Sequence, residues 1–324
     1  MSTLACRLIH ASNLAYSIPQ TGANFDPATI AAAVANVGFL PATLQFFRAP
    51  TQNQINACYY GETATEAILS FRGTLPPTNA SLDGFFRSLL DWINDGDIKL
   101  VKGSNLAGMV HSGFLKSLDE LWDWIDGLHL KKVVDGGKSL RITGHSKGGA
   151  LVYLAAYRLA QLGVKVASAY SYAGARAGDE AFAKAYDQMV KNGNIQEALR
   201  FEYQNDLVPH LPPSTSSWRV IQQGLTLIHN KFPLAAPHAT ASPAVVRDVD
   251  NFLTQFDHIS NWPSYVSAGK LQFIDWSNNI VADSFSLSTD RNLRLATAMA
   301  EFKFEEIAGD HSSTGGYMQI PCKV

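Results

Sequence analysis

Apolar positions at helical spacing alternate in this chain with short β-branched runs over most of its length. Leu4, Leu8 and Ile9 fall at helical spacing. Asp26-Pro27 supplies a cap and a first-turn proline for a helix over Ala28–Val37, and Gly38 stops it. Asn56–Tyr60 and Glu66–Phe71 read as extended segments joined by a glycine-containing turn, which makes a hairpin. Leu140–Thr143, Val166–Tyr172 and Leu199–Tyr203 read as buried strands, with helical patterns at Ala150–Leu162 and Asp179–Val190 between them. Helices alternating with β-branched runs predict an α/β sheet covered by helices. Pro209–Pro213 reads as a turn, because each proline fixes φ and removes a donor. From about 214 to 310 the pattern weakens into a less readable insertion, although Lys270–Trp276 still reads as a strand. No linker interrupts the chain, so one domain over 1–324 is expected.

Composition narrows the field. The formal charge of −2 makes nucleic acid a poor partner, and 46% hydrophobic residues against 17% charged fit a packed core rather than disorder. Cys6, Cys58 and Cys322 are too scattered for a disulfide framework, so one bridge is the most they can form, and no CxxC pair suggests zinc. Arg7, His10 and Asn13 interrupt the first residues, so no Sec-type signal peptide is visible there; secretion and a cytoplasmic location both stay open. No apolar run reaches the roughly 18 residues of a membrane span, and a soluble protein is expected.

The sharpest chemical signal is Gly144-His145-Ser146-Lys147-Gly148, a G-x-S-x-G pattern directly after the strand LRIT and directly before the helix GALVYLAAYRLA. Such a strand–turn–helix elbow strains the serine backbone and projects its hydroxyl into a cleft, facing the N–H groups of the following helix. A serine hydroxyl needs a base, and the base needs a carboxylate to fix its tautomer; in this arrangement the acid and the histidine follow the serine in chain order. Asp206 stands in a loop after the strand ALRFEYQ and is the candidate acid. Of the later histidines, His210 is too close along the chain to reach back, while His229, His238, His258 and His311 are not separated by the residues alone. A Gly- and Ser-rich loop after the extended-looking FKFEEIA favours His311, with His258, in FDHIS after a helical pattern, as runner-up. The Lys147 side chain reads as a solvated charge whose backbone N–H is the useful part.

These residues resemble the class 3 lipases, a family of α/β-hydrolase fold. FRGT (Phe71–Thr74) is similar to the family's oxyanion strand, DWIND (Asp91–Asp95) to the end of its lid, and VHSGF (Val110–Phe114) to the strand and turn after it. GHSKGGA is similar to the serine elbow, YAGARAGDEAF to the T-F-G-x-P-R-x-G region, NDLVPHLPP to the acid loop, and DHSSTGGYM (Asp310–Met318) to the closing segment. The motifs run in family order from Phe71 to Tyr317. The resemblance implies a central, mostly parallel sheet with helices on both faces and a helical lid. It also implies a triad of Ser146, Asp206 and His311, and an oxyanion hole from the Thr74 N–H and hydroxyl with the Lys147 N–H. Lys147 stands where many members carry Leu, and Ala175 replaces the proline of G-x-P-R.

Between these motifs, SLDGFFRSLLDWI places Phe85, Phe86, Leu89, Leu90, Trp92 and Ile93 on one broad apolar helical face with Ser81 as a cap. A core helix would carry such a face too; its place directly after Thr74 favours a lid over about 75–96 that opens at a lipid–water interface. The expected activity is ester hydrolysis by a triacylglycerol lipase on a small-molecule or lipid ester. The alternatives are a phospholipase A1, a galactolipase, a feruloyl-type aryl esterase, or a catalytically inactive hydrolase-fold binding module. HExxH is absent and the histidines are dispersed, so no metal or other cofactor is expected.

Overall fold

A computed structural model describes residues 3–18, 27–50, 56–74, 99–212, 214, 264–300 and 303–323. The two expected extended segments, β2 (Ala57–Glu62) and β3 (Glu66–Phe71), pair antiparallel as the expected hairpin, with β1 (Gln45–Arg48) on the outer side of β2. Beyond β3 the sheet turns parallel through β6 (Ser139–His145), β7 (Val166–Tyr172), β9 (Ala198–Tyr203) and β11 (Lys270–Ile274), and β12 (Ile280–Val281) closes it antiparallel. The order among described residues is β1-β2-β3-β6-β7-β9-β11-β12. A second small sheet joins β4 (Leu100–Val101), β5 (Val110–His111), β8 (Gly178–Asp179) and β10 (Tyr265–Val266).

The parallel strands are apolar on both sides because both sides are covered. On β3, Leu69 and Phe71 point into one cluster with α3 (Ser112–Gly127) and α5 (Lys147–Gln161), while Ile68 points into a second with α1 (Leu4–Ala15). On β7 alternation sends Ala169 to the first cluster and Tyr170 and Tyr172 to the second, while a register shift between the Leu140–Val166 and Arg141–Ser168 pairs puts Val166 in the first cluster as well. The remaining helices are α2 (Pro27–Val37), α4 (Leu130–Asp135), α6 (Glu180–Lys191), α7 (Phe285–Ala300), α8 (Phe304–Asp310) and α9 (Gly316–Gln319). None of the described helices is long and apolar enough to cross a membrane. One disulfide forms, Cys6–Cys322, and Cys58 is buried as a free thiol.

Two local expectations are corrected. FKFEEIA is not extended: α8 runs from Phe304, with the Ile307 N–H bonded to the Lys303 carbonyl and the His311 N–H to the Ile307 carbonyl. Ile307 is fully buried on the inward face of this helix. In VHSGF the expected strand is present as β5 (Val110–His111), but a helix rather than a turn follows it. Helix α3 starts at Ser112, because the His111 imidazole Nδ1 accepts from the N–H groups of Gly113 and Phe114 and caps the helix itself. Pro209 lies in a 3-10 turn (Val208–His210), and the Leu211–Pro212 peptide is cis. The segment 75–98, which holds the lid expectation with Phe85, Phe86, Leu89, Leu90, Trp92 and Ile93, lies outside the described residues. His229, His238 and His258 lie outside them as well.

Candidate active site

Strand β6 ends at His145 and α5 begins at Lys147, so Ser146 makes the whole turn alone. It does so at φ 59° and ψ −127°, a strained region for a side-chain-bearing residue, and its N–H is held by the Tyr172 carbonyl at 2.9 Å. A Cβ on Gly144 would collide with the Gly148 backbone, and one on Gly148 with the Phe71 carbonyl, so only glycine lets strand and helix pass this closely.

Three side chains distant in sequence meet here. The His311 Nε2 lies 3.0 Å from the Ser146 Oγ, and its Nδ1 lies 3.0 Å from each Asp206 oxygen. The ionised carboxylate can only accept, so Nδ1 carries the proton and Nε2 offers its lone pair to the serine O–H. Asp206 follows β9, is 2% exposed, and is fixed twice more: Oδ1 accepts the Val208 N–H at 2.9 Å and Oδ2 accepts the Tyr317 O–H at 2.7 Å. His311 is the C-cap of α8, so the helix that replaced the expected extended segment is what sets its position.

Residues that the sequence left unassigned surround this triad. Tyr317, on α9, takes the Tyr203 N–H at 2.9 Å while donating to Asp206, and so locks the end of β9 to the carboxylate. His145 lies 2.9 Å from the His311 carbonyl through Nε2 and 2.7 Å from the Tyr16 hydroxyl through Nδ1. Burial, with His311 beside it, pushes the His145 imidazole well below its ordinary range, so it is neutral. A carbonyl only accepts, which puts the one proton on Nε2 and makes Tyr16 the donor to Nδ1. Nothing in periodicity or spacing marks Tyr16, which stands as the C-cap of α1. Asp310, next to His311, accepts the Asn205 N–H at 3.1 Å; burial, with Asp206 and Glu306 nearby, pushes its carboxyl up to about 7.

The strand end that carries Thr74 adjoins the elbow: Gly73 packs against the His145 carbonyl and the Tyr16 hydroxyl, so a Cβ there would meet both. Thr74 is exposed, and Lys147 contributes the first N–H of α5. The Lys147 side chain corrects the expectation of a solvated charge. It is partly buried, and its Nζ donates to the Asn56 Oδ1 at 2.8 Å. His210 is not at the site. It is buried near Glu202, Arg176, Arg200 and Arg291, and burial pushes it down to about 3. Among described residues, Cys6, His10 and Cys322 bring potential ligand atoms within 4.8 Å of one another, but two of the three are joined as the disulfide.

Residues 68–216 match the family model described as lipase (class 3). The chain is 26% identical over 189 residues to a secreted mono- and diacylglycerol lipase A of Penicillium cyclopium, covering 58% of this chain and 54% of that one. It is 32% identical over 152 residues to a lipase of Rhizopus niveus, covering 45% and 35%. The chain thus spans about half the length, or less, of these curated relatives. Its fold is similar to the crystal structure of a mutant form of MDLA from Penicillium cyclopium, with a TM-score of 0.56 and 19% identity over 97% of this chain and 96% of that one. That likeness carries the α/β-hydrolase fold.

Proposed function

We propose that the chain is a class 3 lipase, a serine hydrolase of carboxylic esters acting as a triacylglycerol lipase, a reading supported by the match of residues 68–216 to that family's model. The observation that carries the reading is the unbroken line Ser146 Oγ, His311 Nε2, His311 Nδ1, Asp206, with each step at 3.0 Å. In it His311 takes the serine proton as Oγ attacks the acyl carbonyl, Asp206 holds the imidazolium, and the Thr74 and Lys147 N–H groups receive the oxyanion. Donors of this kind are worth about 3–4 kcal/mol each in comparable hydrolases. His311 then protonates the leaving alcohol, and water releases the acyl-enzyme by the same route.

The two buried clusters lie on opposite faces of one sheet, which supports reading the chain as one domain. The apolar face of Phe85, Phe86, Leu89, Leu90, Trp92 and Ile93 supports a lid that meets a lipid surface, since burying each such side chain is worth about 1.5–3 kcal/mol. The Cys6–Cys322 bridge supports an oxidising, extracytoplasmic location, where disulfides persist.

The test is turnover of p-nitrophenyl butyrate by wild type and Ser146→Ala; the reading expects loss of about 10³-fold or more, and equal rates favour a binding module instead. For the lid, deletion of 76–91 should lower activity on emulsified triacylglycerol relative to soluble ester, and an unchanged ratio rejects it.

A further inference from the structure

The first residue of α5 is a lysine, which two physical effects disfavour there. A cation at a helix N-terminus faces the positive end of the helix dipole, and burial strips its hydration. The structure nevertheless holds the ammonium in place. Lys147 Nζ donates to the Asn56 Oδ1 at 2.8 Å, and the Asn56 Nδ2 donates to the Glu120 Oε2 of α3 at 2.6 Å. Asn56 is 5% exposed and stands just before β2. The antiparallel register of β2 and β3, Cys58 opposite Phe71, continues with the Arg72 N–H bonded to the Ala57 carbonyl, which brings Asn56 alongside Gly73. The next residue is Thr74.

We propose that the relay Glu120–Asn56–Lys147 fixes an ammonium beside the oxyanion pocket, where its positive charge stabilises the tetrahedral intermediate, with Asn56 and Glu120 as its positioning residues. The proposal rests on the ester-hydrolysis reading and deepens it. The chemistry of the middle residue carries it: a neutral amide orients the ammonium without cancelling its charge, whereas a carboxylate at 56 would neutralise it. The compensating carboxylate is kept one side chain away, on Glu120. Among described residues, the charged groups bearing on Nζ are the Arg72 guanidinium at the end of β3 and Glu120 on α3. Burial, with Arg72 beside it, pushes the ammonium down to about 8, against the pull of Glu120. The charge is therefore present below about pH 8 and fades above it.

The experiment is a set of pH profiles of kcat and KM on p-nitrophenyl butyrate. Wild type should lose kcat as pH rises through about 8, as the ammonium titrates. Lys147→Met keeps the backbone N–H, and should lower the neutral-pH kcat about tenfold with KM within about twofold while removing the alkaline limb. Asn56→Asp should move that limb up by about one pH unit and Glu120→Gln should move it down, shifts that a merely structural role would not produce. A Lys147→Met enzyme with wild-type kcat, or with the limb unmoved, overturns the proposal. A limb indifferent to Asn56→Asp overturns it too, and that variant decides the matter where Lys147→Met does not fold. If wild type hydrolyses no ester, the ester-hydrolysis reading fails. The rate of Ser146 labelling by a fluorophosphonate, whose phosphoryl oxygen draws on the same pocket, then reads the ammonium separately.

Discussion

Replacing Tyr317 with phenylalanine removes one oxygen and leaves a ring that already packs edge-on to His145 with centroids 5.7 Å apart and against Tyr203 at 5.9 Å. The oxygen makes two bonds in a fully buried place: it donates to the Asp206 Oδ2 at 2.7 Å and accepts the Tyr203 N–H at 2.9 Å. The first is charge-assisted and worth about 1.5–3 kcal/mol; the second leaves a backbone amide without its partner, at about 1–3 kcal/mol. Apolar burial is unchanged, so no cavity term adds to these. The expected loss is about 3–5 kcal/mol, or roughly 5–10 °C in Tm by differential scanning calorimetry. Catalysis should suffer less than stability. Asp206 keeps the Val208 N–H and His311, and with one donor fewer its carboxylate binds the imidazolium more strongly, which offsets part of the lost orientation. A kcat reduction of no more than about tenfold is expected. An unchanged Tm would refute the reasoning, because it would mean that this phenol neither satisfies the β9 amide nor holds the carboxylate.

Opening the Cys6–Cys322 bridge, which joins residues 316 positions apart, should cost about 5–6 kcal/mol by the loop-closure argument; Cys6→Ser and thiol reduction should lower Tm equally, and a Tm unaffected by either speaks against the bridge. Glu202 is buried between Arg200 and Arg291, and they hold its carboxyl down at about 2 against the cost of burial. Because its folded value is depressed, its contribution is present above the unfolded carboxylate range and lost as pH falls from about 4.5 toward 2. Glu202→Gln should cost about 3–5 kcal/mol in urea unfolding at neutral pH and flatten that acid limb; an equally steep limb in the variant counts against the assignment.

Much of the framework was legible in one dimension because it rests on local or near-local rules. Short β-branched and apolar runs bounded by turn residues placed the β2–β3 hairpin and the strands at 140, 166, 199 and 270, since a strand buried on both faces must be largely apolar. The elbow was legible because only glycine can stand where strand and helix touch, and Ser146 sits between two such glycines. Asp206 was legible as a loop acid after a strand. His311 was not separable from other histidines by the residues alone, and its supporting segment was misread, because Ile307 is inward on a helix and a seven-residue run does not distinguish the periods.

Tertiary structure decided everything that depends on contacts between distant segments. The 3.0 Å approaches of His311 to Ser146 and Asp206 join residues 165 and 105 positions apart, and no periodic pattern encodes such a distance. Tyr16, His145 and Tyr317 became visible as a shell only when α1 and α9 were seen against the strand ends. The fate of the Lys147 ammonium turned on Asn56, which lies 91 positions away and reaches it through sheet register. The sequence by itself determined which backbone shapes are allowed and which chemical groups are available. Packing determined which of those groups meet, because side-chain contact is set by the fold's geometry and not by separation along the chain.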